Sequence, residues 1–359
     1  MRISVLAATA VTALACATVS ATPIEGLQIM REHNLIVLGD ATTRHDVEGR
    51  TYVQGNLSGS GNYNIGGSGT QGASSRPVLT VGGNIGGGWK NVGGGGTIEA
   101  GGNITQVNLN GGTYTVRAGG NIAGMNQNQN TFERFANVNI PSFEGAMNDL
   151  SIQLAALADT GGSTSINGQT RVLNPVGDAN GVAVMNIANL GDMLANGTSI
   201  ISSVALSSAA QALDTIVFNV GGTSFSFDDN FVSGGSFANA KNLSKNVIWN
   251  FYEATTLAFN REFFGSVLAP LASVTNNSPI NGTGVFKTAN LNGEMHLSSY
   301  GGQKLTFPEP GPTPTDPPID VDPPIDPGAV PEPAALGLLA VGLVGLGVLA
   351  RRRRTAAAA

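Results

Sequence analysis

Apolar and polar positions alternate along much of the chain, and a Gly-Gly-Asn-Ile motif interrupts the alternation at regular intervals. The motif occupies residues 82–85, 101–104 and 119–122, at spacings of 19 and 18 residues, and a looser copy occupies 54–57. Between the copies, segments such as Thr113–Ala118 alternate with a period of two, which is typical of half-buried strands. A period near 18 residues with Gly-Asn corners predicts a parallel β-solenoid, in which each turn, or rung, stacks about 4.8 Å above the last.

The same period returns in the second half of the chain. The segment Phe264–Pro270 is followed by Gly284–Ala289, which begins 19 residues after Gly265, and Asn281–Gly282 between them is typical of a corner. We expect these segments to be consecutive rungs that close the same solenoid from its C-terminal side. Further strands are predicted at Gly181–Ile187, Thr215–Gly221 and Asn246–Phe251, with a short helix at Leu190–Ala195.

One segment departs from the β pattern. After Pro141, Ser142 is a residue type that caps helices, and apolar residues then recur at helical spacing. These apolar residues are Phe143, Met147, Leu150, Leu154 and Leu157. A helix over residues 142–159 is about 24 Å long, the height of five rungs, so we expect one long amphipathic helix packed alongside the solenoid. A helix that binds a partner is the alternative.

The N-terminal end has the pattern of a secretory signal peptide. Arg2 supplies the positive start, an apolar run follows, and small residues precede a cleavage site after Ala21. We therefore predict a signal peptide over residues 1–21 and export from the cytoplasm.

The C-terminal end predicts a membrane anchor. Residues 334–350 form an uncharged apolar run of 17 residues, which covers about 25 Å, the lower limit for a transmembrane helix. The arginines after it are expected to stay in the cytoplasm. The Pro- and Asp-rich residues 308–329 predict a semi-rigid spacer, which leaves residues 24–307 for the folded domain.

Composition narrows the classes of function. The 50 glycines among 359 residues exclude a mainly helical protein. The single cysteine, Cys16, lies in the predicted signal peptide, so the mature chain has no thiol for a disulfide, a zinc site or a nucleophile. Removal of Arg2 and the four terminal arginines lowers the basic residues from 18 to 13, against 24 acidic ones, and the lack of a basic stripe excludes nucleic acid as a partner.

The C-terminal residues of the chain contain three short motifs in a specific order. A Pro-Glu-Pro motif, the apolar run and an arginine cluster follow one another over residues 330–354. The residues outside the apolar run that make up this order are Val330, Pro331, Glu332, Pro333, Arg351, Arg352, Arg353 and Arg354. This order resembles the PEP-CTERM sorting signal of Gram-negative bacteria. The resemblance implies recognition by an exosortase-type membrane protease, cleavage near the Pro-Glu-Pro motif, transfer to the cell surface or matrix, and a host that secretes exopolysaccharide and forms biofilm.

Several motifs in the body of the chain also match a known pattern. They are Asn34–Asp40, Asp46–Arg50, Val247–Phe251, Gly265–Pro270 and Asn292–His296. Together they resemble the choice-of-anchor A domain over residues 27–302. The resemblance implies a bacterial surface domain that is combined with different C-terminal anchors and takes part in adhesion in some members. Tyr252 departs from the pattern, which has a turn former at that position.

The sequence contains no motif for a catalytic, cofactor-binding or metal-binding site. The three histidines, which lie far apart without metal-ligand spacing, are His33, His45 and His296. Glu294 and His296 fall on one face of a strand, and we expect a structural pair at the end of the solenoid, with an active site as the alternative. Asp228–Asp229 lacks the pattern of a calcium loop and Gly93–Gly96 lacks the Lys-Ser/Thr of a phosphate loop, so a loop and a turn are predicted.

These patterns predict a non-catalytic structural or adhesive protein that associates with exopolysaccharide or neighbouring surface components through Asn, Ser and Thr side chains on stacked rungs. A carbohydrate- or ice-binding solenoid is one alternative. An ice-type face needs regular Thr ladders, whereas Thr113 and Thr115 are nearly isolated and Asn and Ser are spread without register. A polysaccharide-degrading β-helix enzyme is the other alternative, but Glu99 and Arg117 are the only charged residues between positions 90 and 125.

Overall fold

The structure, a computed structural model, describes residues 23–67, 69–126, 130–134, 138–190, 203–233 and 243–307. The chain divides into two compact units, Met1–Phe307 and Pro308–Ala359, and all the described residues belong to the first unit. The predicted signal peptide, the spacer, the membrane helix and residues 191–195 of the predicted short helix lie outside the described residues.

The described residues form two α-helices, a short 3₁₀ helix and many short strands. The helices are α1 (Pro23–Glu32), α2 (Glu144–Ala155) and the 3₁₀ helix (Ser208–Ala212). The strands of the first half are β1 (Leu35–Val37), β2 (Ala41–Thr43), β3 (Thr51–Val53), β4 (Leu57–Gly59), β5 (Gly61–Tyr63), β6 (Leu79–Val81), β7 (Lys90–Val92), β8 (Gly96–Ala100), β9 (Ile104–Leu109), β10 (Tyr114–Ala118), β11 (Ile122–Met125) and β12 (Thr131–Arg134). Those of the second half are β13 (Ser163–Asn167), β14 (Thr170–Asn174), β15 (Val182–Ile187), β16 (Ser203–Leu206), β17 (Thr215–Val220), β18 (Ser224–Phe227), β19 (Asn230–Ser233), β20 (Val247–Asn250), β21 (Thr256–Phe259), β22 (Phe263–Phe264), β23 (Ser266–Asn276), β24 (Ile280–Asn281), β25 (Gly284–Leu291) and β26 (Met295–His296).

A long parallel sheet runs through the domain. Its strands follow the order β12-β10-β8-β6-β3-β1-β25-β23-β20-β17-β15, and every neighbouring pair in this row is parallel. Ile98 pairs with Leu79 on one side and with Val116 on the other, so the period read from the sequence is the length of one rung. The prediction of a mainly β fold is confirmed.

The two halves of the chain meet in the middle of this sheet. From β1 the rungs extend in one direction to β12, and the second half returns from β15 at the opposite end to β25, which pairs with β1. The predicted rungs at Phe264–Pro270 and Gly284–Ala289 are confirmed, because β23 pairs with β25 in parallel. The register between these two strands shifts between Ala269 and Ser273.

The paired glycines of the repeat allow neighbouring rungs to approach closely. A Cβ atom on Gly82 would overlap the carbonyl oxygen of Gln54 in the rung below, and Cβ atoms on Gly101 and Gly119 would overlap the carbonyl oxygens of Gly82 and Gly101. None of these three glycines has a positive φ angle. Glycine is therefore required here by the distance between rungs rather than by a left-handed turn.

Apolar side chains fill the interior of the stack. The largest of them is Trp249, which is fully buried and stacks on Phe218 with ring centroids 4.2 Å apart. The indole N–H of Trp249 donates a hydrogen bond to the carbonyl oxygen of Phe264 at 3.1 Å. This pairing joins the rungs of β17, β20 and β22 within one core.

The predicted long helix is α2, which is shorter than the expected 142–159 and covers Glu144–Ala155. Its buried residues are Ala146, Met147, Leu150, Ser151 and Leu154. They pack, together with α1, on outward-facing apolar side chains of the long sheet, among them Ile36, Val217, Ile248, Leu268 and Val285. The expectation that the helix covers an apolar face of the sheet is confirmed, whereas α1 has no counterpart in the sequence prediction.

Neither α-helix in the described part of the chain is long and apolar enough to cross a membrane.

Buried amides attach α2 to the sheet. The side chain of Asn250 donates to the carbonyl oxygen of Ser151 at 2.8 Å and to Oδ1 of Asn219 at 2.9 Å, and the Ser151 hydroxyl donates to Oδ1 of Asn250 at 2.6 Å. Asn219 in turn donates to the carbonyl oxygen of Leu154 at 2.6 Å. These hydrogen bonds fix the helix in one position, because buried amides are costly when unpaired.

His33 follows α1 directly and is buried beside α2. Its Nδ1 atom lies 2.8 Å from the carbonyl oxygen of Ile29, and its ring meets Phe143 edge-on with centroids 5.5 Å apart. Burial lowers the pKa of His33 to about 4, and the positive charges of Arg50 and Arg76 act in the same direction. The imidazole is therefore neutral near pH 7.

This burial predicts a loss of stability in mild acid. Below about pH 6.5 the unfolded chain binds a proton that the folded His33 does not accept until about pH 4. The free energy of unfolding is expected to fall by about 3 kcal/mol through this window, in addition to the effect of carboxylates. Urea denaturation at a series of pH values measures it, and a His33→Phe variant is expected to lack this part of the slope. Equal slopes for the two proteins would contradict the prediction.

Candidate functional site

Small polar side chains cover one side of the stack. The strands on this side pair in parallel in the order β18-β21-β23-β25-β2-β4, with β23 and β25 contributing their C-terminal halves. Alternate residues, such as Leu257, Val274 and Ala289, are buried in the core, and the residues between them are partly or fully exposed. We call the surface formed by these outward residues the ladder face.

The strand register arranges the ladder face in straight columns. The first column contains Ser224, Thr256, Ser273 and Thr288, and the second contains Ser226, Ala258, Thr275, Asn290, Thr42 and Ser58. Members of a column lie about 4.8 Å apart, and the columns are about 6.6 Å apart along the strands. The hydroxyl of Thr288 donates to that of Ser273 at 2.9 Å, and those of Thr42 and Ser58 lie 2.8 Å apart.

An amide ladder forms the edge of this face. In order it contains Asp228, Asn260, Asn277, Asn292 and Arg44, and we call it the short ladder. Each asparagine Nδ2 donates to the oxygen of the preceding member, at distances of 2.8, 2.7 and 3.1 Å, and Arg44 donates to the last asparagine at 2.7 Å. Hydrogen bonds from Ser226 and Asn260 hold the pKa of the Asp228 carboxyl below its usual value.

A second ladder extends the first column along the repeats. It contains Asp40, Asn56, Asn84, Asn103, Asn121 and Arg134, and we call it the long ladder. The oxygen of each member from Asp40 to Asn103 accepts the backbone N–H of the next, at 2.6 to 3.0 Å. Arg134 donates to the final asparagine at 2.7 Å.

Each ladder has a carboxylate at one end and a guanidinium at the other. In each ladder the amide groups donate in one direction along the stack, and a carboxylate accepts from the first amide while a guanidinium donates to the last. Aligned amide dipoles place positive charge at the donor end and negative charge at the acceptor end, so each terminal ion stabilises the alignment. The result is an ordered row of side chains on an exposed surface.

The expectation that Asn and Ser lack register is therefore wrong. Asn84, Asn103 and Asn121 occupy the same position in the three Gly-Gly-Asn-Ile copies, and this repetition is the signal from which the long ladder was predictable. The expectation that Thr115 is nearly isolated is also wrong, because it pairs with Thr97 and Thr131 across the long sheet. Thr97 and Thr131 lie on neighbouring rungs, so the residue pattern along a single strand does not show that they are adjacent to Thr115.

Glu294 and His296 form the contact that their spacing predicts. The Nε2 atom of His296 lies 2.7 Å from a carboxylate oxygen of Glu294, and its Nδ1 atom lies 3.1 Å from Oδ1 of Asn281. The pair is not at the end of the stack as expected, because Met295 bridges to Val47 in the rung of β1, at the centre. The pair lies at the centre because the two halves of the chain meet where β1 pairs with β25.

The remaining candidates have structural roles within the described part of the chain. Asp228 ends the short ladder, and three of the glycines in Gly93–Gly96 have φ angles of +76° to +117°, as the predicted turn requires. No cluster of three or more metal-ligating side chains occurs among the described residues. The sorting and processing residues Ala21, Val330, Pro331, Glu332, Pro333, Arg351, Arg352, Arg353 and Arg354 lie outside them.

A long parallel sheet and an ordered polar face define the chain as a mainly β protein. The chain belongs to the family described as "Putative Ice-binding-like adhesive domain", whose sequence profile matches residues 26–297. A second profile, the PEP-CTERM protein-sorting motif, matches residues 329–354 and confirms the predicted sorting signal. This motif implies processing by an exosortase, export and anchoring at the cell surface.

Three solved structures are similar to the chain. The crystal structure of an ice-binding protein from an Antarctic biological consortium is 12% identical, with 80% of this chain and 95% of that chain covered and a TM-score of 0.32. That of an ice-binding protein from the Antarctic ascomycete Antarctomyces psychrotrophicus is 14% identical, with 60% and 95% covered and a TM-score of 0.29. That of an ice-binding protein from an Antarctic bacterium, Flavobacteriaceae, is 13% identical, with 79% and 85% covered and a TM-score of 0.28. No curated protein matches the chain.

Proposed function

We propose that this protein is an exported, non-catalytic β-solenoid adhesin whose ladder face binds extended polysaccharide at the cell surface. The observation that carries the proposal is the register of the ladder face, where hydroxyl and amide side chains repeat over six neighbouring strands. A polysaccharide is itself a repeating row of hydroxyl groups. Many weak contacts along such a face provide avidity without a deep pocket.

The ends of the chain support presentation of this face outside the cell. In the proposal, the signal peptide is removed after Ala21, the exosortase-type protease cleaves near Pro331–Pro333, and the Pro- and Asp-rich residues 308–329 hold the domain away from the membrane. A Gram-negative host and its matrix are the proposed setting. The resemblance of residues 27–302 to the choice-of-anchor A domain stays a prediction that agrees with this role.

Ice is the second candidate ligand, and one observation favours it. The two columns of the ladder face place hydroxyl-bearing side chains two residues apart on two of its strands, Ser224 and Ser226 on β18 and Ser273 and Thr275 on β23. A flat lattice of about 4.8 by 6.6 Å is suited to a crystal surface as well as to a polymer. The amide ladders and their terminal ions, which bring strongly hydrated groups to the same surface, favour the polysaccharide.

A bulky side chain at the centre of the ladder face is expected to prevent binding. Ser273 is exposed in the first column, so the ring of a Ser273→Tyr variant projects from the flat surface and holds any rigid ligand away from its neighbours. We expect at least a tenfold loss of polysaccharide retention by cells that display the full chain. The fold is expected to be unchanged, since substitutions at exposed positions usually change stability by about 0.5 kcal/mol or less.

Ser163→Tyr on β13 is the matched control, because this strand is exposed along its whole length and lies outside the ladder face. It is expected to bind as the wild type does. Inhibition of ice recrystallisation is measured on the same three proteins. A loss of ice activity with unchanged polysaccharide retention in Ser273→Tyr would favour the second candidate, and equal retention by all three proteins, without ice activity, would contradict both.

A further inference from the structure

An exposed tryptophan stands at the edge of the ladder face. Trp89 is 51% exposed, although it directly precedes the fully buried Lys90 on β7. The pairing of Lys90 with Gly61 and Val107 places Trp89 level with Ser60 and Gln106 in the adjacent rungs. Since Arg44 is level with Ser60, the tryptophan continues the line of the short ladder.

A buried lysine fixes the backbone next to this tryptophan. The ammonium group of Lys90 donates to the carbonyl oxygens of Gly59, Gly86 and Gly88 at 2.7, 2.7 and 3.0 Å. Gly88 N–H donates to Oε1 of Gln106 at 3.1 Å, which fixes the backbone on the other side of the indole. The corner is thus tied to both neighbouring rungs, and a ligand that binds the indole does not have to order the backbone first.

Three glycines, Gly86–Gly88, form the corner that precedes Trp89. The bridges of Ile85 to Leu57 and Ile104 place Gly86 between Ser58 and Thr105, so the second column lacks a side chain at this rung. Gly87 and Gly88 complete the corner with φ angles of +71° and +148°, which favour glycine. Gly87 is exposed and Gly86 and Gly88 are partly exposed, and a Cβ atom on Gly86 would lie 2.8 Å from Oγ1 of Thr105, so this hydroxyl borders the corner.

We propose that Trp89 and the Gly86–Gly88 corner form an anchoring subsite for one neutral sugar ring of a polysaccharide that lies along the ladder face. A pyranose ring has an apolar C–H face, which packs on an aromatic ring, and a rim of hydroxyls, which pairs with polar groups such as Ser58 and Thr105. Both nearby cations already donate to groups of the protein, Arg44 to Asn290 and Asn292 and the buried Lys90 to three backbone carbonyls, so we assign the subsite to a neutral sugar rather than a uronate. This inference rests on the proposed polysaccharide binding.

The two tryptophans of the chain provide a direct test. Trp249 is fully buried, so acrylamide quenching of the fluorescence of the purified full-length protein reports on Trp89. The probes are hydroxyethylcellulose and dextran, which are neutral, and alginate, which is acidic. A neutral polymer is expected to protect from acrylamide the fraction of the fluorescence that comes from Trp89. The Trp89→Ala variant is expected to bind this polymer about tenfold more weakly, and Trp89→Phe is expected to retain most of the affinity.

Ile152→Ala is the matched control, because Ile152 is 64% exposed on α2, away from the ladder face. It should bind as the wild type does. If a neutral polymer binds the Trp89→Ala variant with unchanged affinity, the proposed subsite is contradicted, whereas the proposed binding of polysaccharide by the ladder face is supported. If no polymer binds the wild type, both proposals are wrong. Protection of Trp89 by alginate alone, by phosphatidylglycerol vesicles or by higher protein concentration would overturn the neutral-sugar assignment.

Discussion

Trp249→Ala is expected to destabilise the domain by about 3–5 kcal/mol, a large part of the total stability of a typical domain. The substitution removes a fully buried indole, its stacking on Phe218 and its hydrogen bond to the carbonyl oxygen of Phe264. The cavity cannot close easily, because the rungs on both sides are fixed by parallel pairing of β20 with β17 and β23. Urea denaturation followed by circular dichroism measures the loss.

Trp249→Phe is the control for the aromatic packing. It keeps a ring against Phe218 and loses mainly volume and the N–H donor, so we expect a smaller loss, about 1–2 kcal/mol. The order of stability is therefore wild type, Trp249→Phe and then Trp249→Ala. A loss below about 1 kcal/mol for the alanine variant would show that this part of the core is not closely packed.

Deletion of residues 331–354 is expected to abolish retention of the protein in the cell envelope. The deleted segment contains nearly all of the PEP-CTERM motif, whose match covers residues 329–354 and implies exosortase processing and surface anchoring. Without the apolar run and the arginine cluster, nothing in the proposed mechanism holds the exported chain at the membrane. Cell fractionation with immunodetection of the domain measures the change, and the truncated protein should appear in soluble fractions.

A Glu332→Ala variant separates sorting from membrane insertion. It keeps the apolar run and Arg351–Arg354 but changes the Pro-Glu-Pro motif, so we expect an uncleaved chain of precursor mass that stays in the membrane. Membrane retention of the deletion variant at the wild-type level would remove the anchoring proposal altogether. Normal cleavage of Glu332→Ala would show that the glutamate is not read by the protease.

The repeats were the most informative part of the sequence for the fold. The hydrophobic residue three positions before each Gly-Gly-Asn-Ile copy must return to the same core, so the period predicts that Leu79, Ile98 and Val116 stack on one another. The long helix was also predictable, since its apolar residues share one side, although its ends differ from the prediction. The helix α1 was not predicted, because its ten residues are fewer than the roughly 11–18 over which a helical period is recognised.

The candidate site was only partly predictable. The Glu294–His296 contact follows from strand spacing alone, because residues two apart on a strand face the same side. The ladder face does not follow in this way, since its strands come from six separate segments that share no repeated motif. Its short ladder even joins Arg44 to Asn292, which are distant in sequence.

The sequence by itself determined the mainly β fold, the length of a rung, the presence of a helix on the outside and the sorting signal, because each depends on local periodicity or on a short ordered motif. Only the tertiary structure decided where the two halves of the chain meet, and therefore which polar residues share a face. The pairing of β1 and β2 with β25 places Arg44 beside Asn292 and continues the second column from Asn290 to Thr42. Such pairing is set by packing between distant segments, for which local patterns carry no information.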